Sequence, residues 1–172
     1  AGINCKAISP RSIISSGGFL SWISENSFFT YNGQLRELKS DVHDFIFDNI
    51  QTNTQQATFG AHNIDFNEIW WFFPVGEVTQ LSPNRYIIWN YLDNVWSIGE
   101  LDRGAWIDQG VFKNPLATDS NGFIYEHDKR PLLNSPGLGS RKPFCRTGPL
   151  EIGSGDKVCL LYTSPSPRDP KI

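Results

Sequence analysis

The run Glu68-Ile69-Trp70-Trp71-Phe72-Phe73-Pro74 decides the fold, read with the run Arg85-Tyr86-Ile87-Ile88-Trp89-Asn90-Tyr91 that follows a polar loop at Pro83-Asn84. Both are short, rich in β-branched and aromatic residues, and bounded by turn formers, which is how strands read in sequence. Neither alternates apolar with polar. A strand that is apolar on both sides has no face to give to water and belongs between neighbouring sheets. A third run, Val95-Trp96-Ser97-Ile98-Gly99, follows the turn Leu92-Asp93-Asn94, and Ala57-Thr58-Phe59-Gly60-Ala61 precedes the group.

Working outward from this centre, the pattern recurs. Upstream, Ile13 to Ser16, the pair Gly17-Gly18, Phe19 to Ile23, the polar turn Ser24 to Ser27, and Phe28 to Tyr31 read as strands and turns. Asn32-Gly33 is the dipeptide that most readily takes a type I′ turn, so Gln34 to Leu38 is predicted to complete a three-stranded meander. Between Ser40 and Ile50 the period changes. Val42, Phe45, Ile46 and Ile50 fall three or four apart, with Asp41, Asp44 and Asp48 on the other side, which predicts a short amphipathic helix capped by Ser40. Downstream, Pro115 to Thr118, the turn Asp119 to Gly122, and Phe123 to His127 read as a hairpin. Residues 131–149 read as Pro/Gly-rich loop, and 148–158 as the opening of one more strand.

Three of these pieces place a strand ending in tyrosine after a polar turn, at Tyr31, Tyr91 and Tyr125. Repeated antiparallel meanders with an aromatic in a fixed place are how propeller blades read, because one blade cannot bury its face without a neighbour. A sandwich of the same strands is the competing arrangement. The expected fold is therefore all-β with one short helix: antiparallel β-meanders forming a partial β-propeller over residues 1–158. Residues 159–172 are predicted to be a disordered tail. Their Pro/Ser/Arg composition also resembles the translation of a sequencing adapter, so the tail is set aside as an artefact.

The chain has 172 residues, is 39% hydrophobic and 13% aromatic, and carries a net charge of -3. That fits a globular strand-rich chain and supplies no global basic field for holding a nucleic acid backbone. No apolar run is long enough to span a bilayer, and no membrane partner is expected. Cys5, Cys145 and Cys159 lie far apart without a C-x-x-C pair, so neither a disulfide framework nor a zinc site can be read. Methionine is absent even at position 1, which marks the chain as an expected fragment.

Side chains that carry chemistry are present without the spacing that chemistry needs. His43, His62 and His127 pair with no nucleophile and no second metal-binding histidine along the sequence, and the helix aspartates read as a solvated face. Serines lack the G-x-S-x-G elbow, and Gly137 to Lys142 falls short of a phosphate-binding loop. Asp65, Glu68, Asp102 and Asp108 are the carboxylates available to a glycosidase, whose mechanism needs two acids across a sugar. Asp102-Arg103 and Asp108 around Trp106 read equally well as a structural ion pair beside an anchoring indole. The rings also invite a stacking platform, but Arg85 is the only cation between Trp70 and Trp96, and stacking sites interleave rings with cations. Trp22, Trp70, Trp71, Trp89, Tyr91, Trp96 and Trp106 are therefore expected to be a structural aromatic core. No catalytic, metal-binding or cofactor-binding residue is expected.

Asn67 to Pro74, Asn84 to Tyr91, Trp96 to Gly99 and Arg103 to Asp108 resemble the hub or nozzle proteins of short-tailed bacteriophages, the packaged-DNA stabilisation family. The likeness extends to Ile8-Ser9-Pro10, the segment from Asp41 to Ile50, Gly122 to His127, and residues 148–153. The resemblance implies a propeller subunit of a homo-oligomeric ring beneath the portal, touching portal and other tail proteins, past which double-stranded DNA leaves the capsid. It implies a virion protein assembled in the bacterial cytoplasm and not an enzyme. A carbohydrate-active propeller, either a glycosidase or a host-glycan binder using Asp102 and Asp108, is the alternative from a different class.

Overall fold

The computed structural model describes residues 4–50, 52–76, 82–129, 150–151 and 158–159. The chain divides into two compact units, Ala1–Arg130 and Pro131–Ile172. The first is antiparallel throughout and holds three sheets. β1 (Ile14–Ser16), β2 (Phe19–Ile23), β3 (Phe28–Tyr31) and β4 (Leu35–Leu38) make a four-stranded meander, followed by the helix α1 (His43–Phe47). β5 (Phe59–Asn63), β6 (Glu68–Phe73), β7 (Arg85–Asn90) and β8 (Val95–Glu100) make a second four-stranded meander. β9 (Ala105–Ile107), β10 (Leu116–Thr118) and β11 (Ile124–Glu126) make a third sheet of three strands. In the second unit, β12 (Leu150–Glu151) pairs antiparallel with β13 (Val158–Cys159). Among the described residues the fold is thus all-β with one short helix, and no sheet closes into a barrel.

The doubly apolar strands sit where their composition requires. Ile69, Trp71 and Phe73 point from β6 to one side and pack with Ile23 and Phe28 of the first sheet, in a cluster that also takes Ile87, Trp89 and Ile46 of the helix. Phe72 points to the opposite side and packs with Phe59 and Ala61, joined by Trp70, Tyr86 and Trp106 of the third sheet. The second sheet therefore buries both faces of β5 to β7 between the other two, while its edge strand β8 leaves Val95 and Ile98 exposed. The closest strand-to-strand approaches between sheets are β1 to β5 and β5 to β9, so the first strands of the three meanders lie side by side. One glycine permits this spacing. A Cβ at Gly60 would fall 2.5 Å from Ile14 Cγ1 and 3.2 Å from the Ser12 carbonyl oxygen.

Several local expectations are corrected. The first meander has four strands, because Ile14–Ser16 pairs with β2 through a two-residue turn between Ser16 and Phe19. Gly17 and Gly18 both have positive φ there, 42° and 105°, so the I′ turn falls on this pair. Tyr31 pairs with Leu35 instead, leaving the three-residue loop Asn32-Gly33-Gln34, in which only Gly33 has positive φ. The helix covers His43–Phe47 with Val42 at the N-cap position. Ser40 still satisfies the entry, its hydroxyl accepting from the Val42 N–H at 3.2 Å. Phe45, expected to face inward, is 44% exposed, while Ile46 is fully buried. β9 was not anticipated as a strand; Trp106 alone of its residues points to the core, and the run is too short to show a period.

Asn84 closes the β6–β7 connection. Its side chain accepts from the Val75 N–H and donates to the Val75 carbonyl, both at 2.8 Å. The expected Pro/Gly-rich loop over 131–149, Cys145, and the tail after Cys159 lie outside the described residues.

Trp71 is the largest fully buried side chain, and its indole N–H donates to the Ser12 carbonyl at 2.9 Å. Trp71→Ala is expected to cost about 3–5 kcal/mol, the range for large-to-small changes at a buried aromatic. Urea unfolding followed by circular dichroism measures it, with a lower midpoint at unchanged slope.

Candidate functional site

Three polar side chains meet where the first strands of the three sheets run together. Ser16 ends β1, His62 lies in β5, and Asp108 directly follows β9. The Ser16 hydroxyl lies 3.1 Å from His62 Nε2, and Asp108 Oδ2 lies 3.5 Å from His62 Nδ1. With the carboxylate at Nδ1, the neutral ring places its proton there, and Nε2 accepts from the Ser16 hydroxyl. Asp108 also takes the Ile64 N–H through Oδ2 at 3.2 Å and the Gln109 N–H through Oδ1 at 2.7 Å. Trp106 adds a fourth tie, its indole N–H donating to the His62 carbonyl at 3.0 Å.

This order of serine, histidine and aspartate is that of an acyl-transfer relay. The placement is not. Ser16 is 3% exposed, so no carbonyl carbon reaches its oxygen. What the arrangement does is hold three sheets in register through directional bonds in an otherwise apolar stack, where a partnered polar group specifies one packing. Burial pushes the His62 pKa below its ordinary value of 6.5, against the smaller upward pull of Asp108.

A second polar group ties β11 to the segment before β9. The Arg103 guanidinium lies 4.3 Å from the centre of the Tyr125 ring, and its Nε donates to His127 Nε2 at 3.0 Å. His127 is pushed below 6.5 by burial and then by the Arg103 cation, with Asp128 opposing. The expected Asp102–Arg103 ion pair is not made: Arg103 donates to the Asp102 backbone carbonyl, and the Asp102 carboxylate accepts from the Ser120 N–H at 3.3 Å and from its hydroxyl.

The four carboxylates expected to serve a glycosidase divide. Asp65 bonds the Gln109 side chain, which brings it near Asp108 at the end of β9. Glu68 accepts from the Trp70 indole at 2.9 Å, and burial raises its pKa. Asp102 and Asp108 stand at opposite ends of β9, each held by different partners. His62 is a strand residue of β5. His43, the first residue of α1, is fixed by the Asn26 carbonyl at 2.7 Å and Asp44 at 3.1 Å.

The aromatic residues singled out in the sequence occupy three places. Trp71, Trp89, Tyr91 and Trp96 pack between the first and second sheets; Trp89 stacks on Trp96 with centroids 5.8 Å apart. Trp70 and Trp106 stack between the second and third sheets at 5.5 Å. Trp22 turns to the other side of the first sheet, stacked on Phe29 at 5.9 Å, and its indole N–H donates to the Cys5 carbonyl.

The contact between Ser16 and His62 joins residues 46 apart in sequence, and Asp108 stands equally far downstream of His62. That even spacing was the available signal. Tyr31, Tyr91 and Tyr125 obscured it: each lies in or just after the third strand of its sheet, but at different heights and in different surroundings. The chain matches no family model and no curated protein.

The signs of the histidine shifts fix a pH dependence. His62 and His127 have lowered folded pKa values, so the unfolded chain binds more protons; their contribution is present above about 6.5 and is lost as pH falls through the folded values. His43 shifts upward, chiefly through Asp44, and opposes this from an exposed position where screening weakens it. Stability is therefore expected to fall as pH drops from 7 to 5. Urea titrations across that range should show the slope, and His62→Gln should flatten it.

Proposed function

We propose that the chain is a structural virion protein: a subunit of a ring at the tail hub or nozzle below the portal of a short-tailed bacteriophage. There it retains packaged DNA and forms part of the ejection channel. The observation that carries this reading is a stack of antiparallel meanders, first strands adjacent, whose middle member buries β5 to β7 between its neighbours. A partial β-propeller is the arrangement such a stack suits, and the run of residues resembling tail hub proteins lies along it.

The outer face of the third sheet supports assembly. Ile107 is 61% exposed and Ile124 is 70% exposed. With Ala105 and Leu116 they border an apolar hollow of about 110 Å³. The first sheet ends the stack on the other side with Leu20, Tyr31 and Leu35 exposed. Joining the third sheet of one copy to the first sheet of the next is a head-to-tail contact, which makes rings when the rotation closes. The small negative charge suits a wall that DNA slides past, because phosphate retention needs clustered Lys and Arg. The role is structural, with contacts to portal and other tail proteins, and no catalytic step belongs to it. The glycosidase alternative needs two facing acids; Asp102 and Asp108 stand at opposite ends of β9, each held by different partners.

Native mass spectrometry and electron microscopy of the purified chain, with and without portal rings, test the proposal. Closed oligomers are expected, and Ile107→Asp with Ile124→Lys should reduce them to monomers without unfolding. A chain that stays monomeric at high concentration and ignores portal rings would overturn it.

A further inference from the structure

The first and second sheets splay apart at the end that carries the β1–β2 turn. The opening is a cleft of about 420 Å³, within the size range of small-molecule sites. Phe19, Trp89 and Tyr91 line it with rings that already pack edge to face, Phe19 against Tyr91 at 5.3 Å and against Trp89 at 6.1 Å. Trp89 is 6% exposed, so its indole is a fixed floor, while Phe19 and Tyr91 are half-buried. Tyr91 is held from behind by its hydroxyl, which donates to Asn67 Oδ1 at 3.3 Å.

The polar side of the same cleft is unpaired. Arg36 lines it from β4, and its guanidinium has no hydrogen bond or ion pair among the described residues. The neighbouring Glu37 is taken by the Ser27 hydroxyl at 2.6 Å. Gly17 and Gly18 line the mouth in a turn with positive φ at both positions, and no acceptor among the described residues takes their N–H groups. Successive free N–H groups in a turn form a concavity that suits an anion. A planar guanidinium suits a carboxylate, which it binds through two parallel bonds.

We propose that this cleft binds a carboxylate carried on a six-membered ring, with the carboxylate on Arg36 and the Gly17-Gly18 turn and the ring against Phe19 and Tyr91. Arg36 is the sole cation of the lining. One guanidinium balances one carboxylate; a polyphosphate or nucleic acid strand needs several, in a chain whose net charge is -3. The site is separate from the assembly reading, since by strand alternation and register Phe19, Thr30 and Arg36 turn to the face of the first sheet opposite that of Leu20, Tyr31 and Leu35. An acidic sugar and an aromatic acid share the required chemistry, and they are the two arms of the test.

Titrating the full chain with glucuronate and with benzoate, read by amide resonances of Gly17 and Gly18, measures binding directly. A saturable shift is expected from at least one, with glucose and inorganic phosphate at least tenfold weaker. Arg36→Gln should weaken binding at least tenfold, and Arg36→Lys should fall between, because the charge remains and the fork is lost. Arg36 is exposed, so these variants fold. Absence of binding by both acids, phosphate binding as tightly as either, or affinity unchanged in Arg36→Gln would each overturn the proposal. The larger response of the two acids identifies the source of the ring.

Discussion

Strands β5, β6 and β7 of the second sheet hold no exposed residue, and much of the first unit follows from that constraint. A strand such as β6 that turns Trp71 and Phe73 one way and Phe72 the other must be covered twice. At roughly 25 cal/mol for each Å² of apolar surface, aromatic side chains of this size give the largest single gains available to the fold. Sheets on both sides are the answer. The short helix adds Ile46 to the same cluster at the point where the chain passes from the first meander to the second.

Apolar burial alone does not fix how stacked sheets slide against one another. That task falls to Ser16, His62 and Asp108, one from each sheet, with the Trp106 and Trp71 indole N–H groups taking carbonyls of neighbouring segments. Each bond is modest, and each becomes costly to break once its partner is buried. The serine-histidine-aspartate order matters less than its location: without an exposed nucleophile, the same three groups that would move a proton serve to hold three strands.

Strand composition and turn chemistry made the architecture legible. The runs around Trp70, Ile87 and Trp96 became β6, β7 and β8 close to their expected limits, because doubly apolar strands and Asn- or Gly-rich turns are local properties of the chain. Where two turn signals competed, the local rule misplaced the tight turn: Asn32-Gly33 promised it, but the register of Tyr31 with Leu35 needed three residues, and Gly17-Gly18 took the I′ form. Phe45 was misassigned because a helix of five residues buries a narrower stripe than its period suggests. The polar interlock was not visible from motifs, since its members stand on separate sheets and approach through tertiary packing alone. The Arg36 cleft was hidden for the same reason, as Phe19 and Arg36 come from the first meander and Trp89 and Tyr91 from the second.

Gly60 has a geometrical meaning beyond its own packing. It lies on β5 close against Ile14 of β1, while the same two sheets part beside the Gly17-Gly18 turn into the Arg36 cleft. Two layers pinched along one line and parted along another form a wedge. A methyl group at the pinch would push the layers apart, so a residue without a side chain sets how closely the two sheets approach.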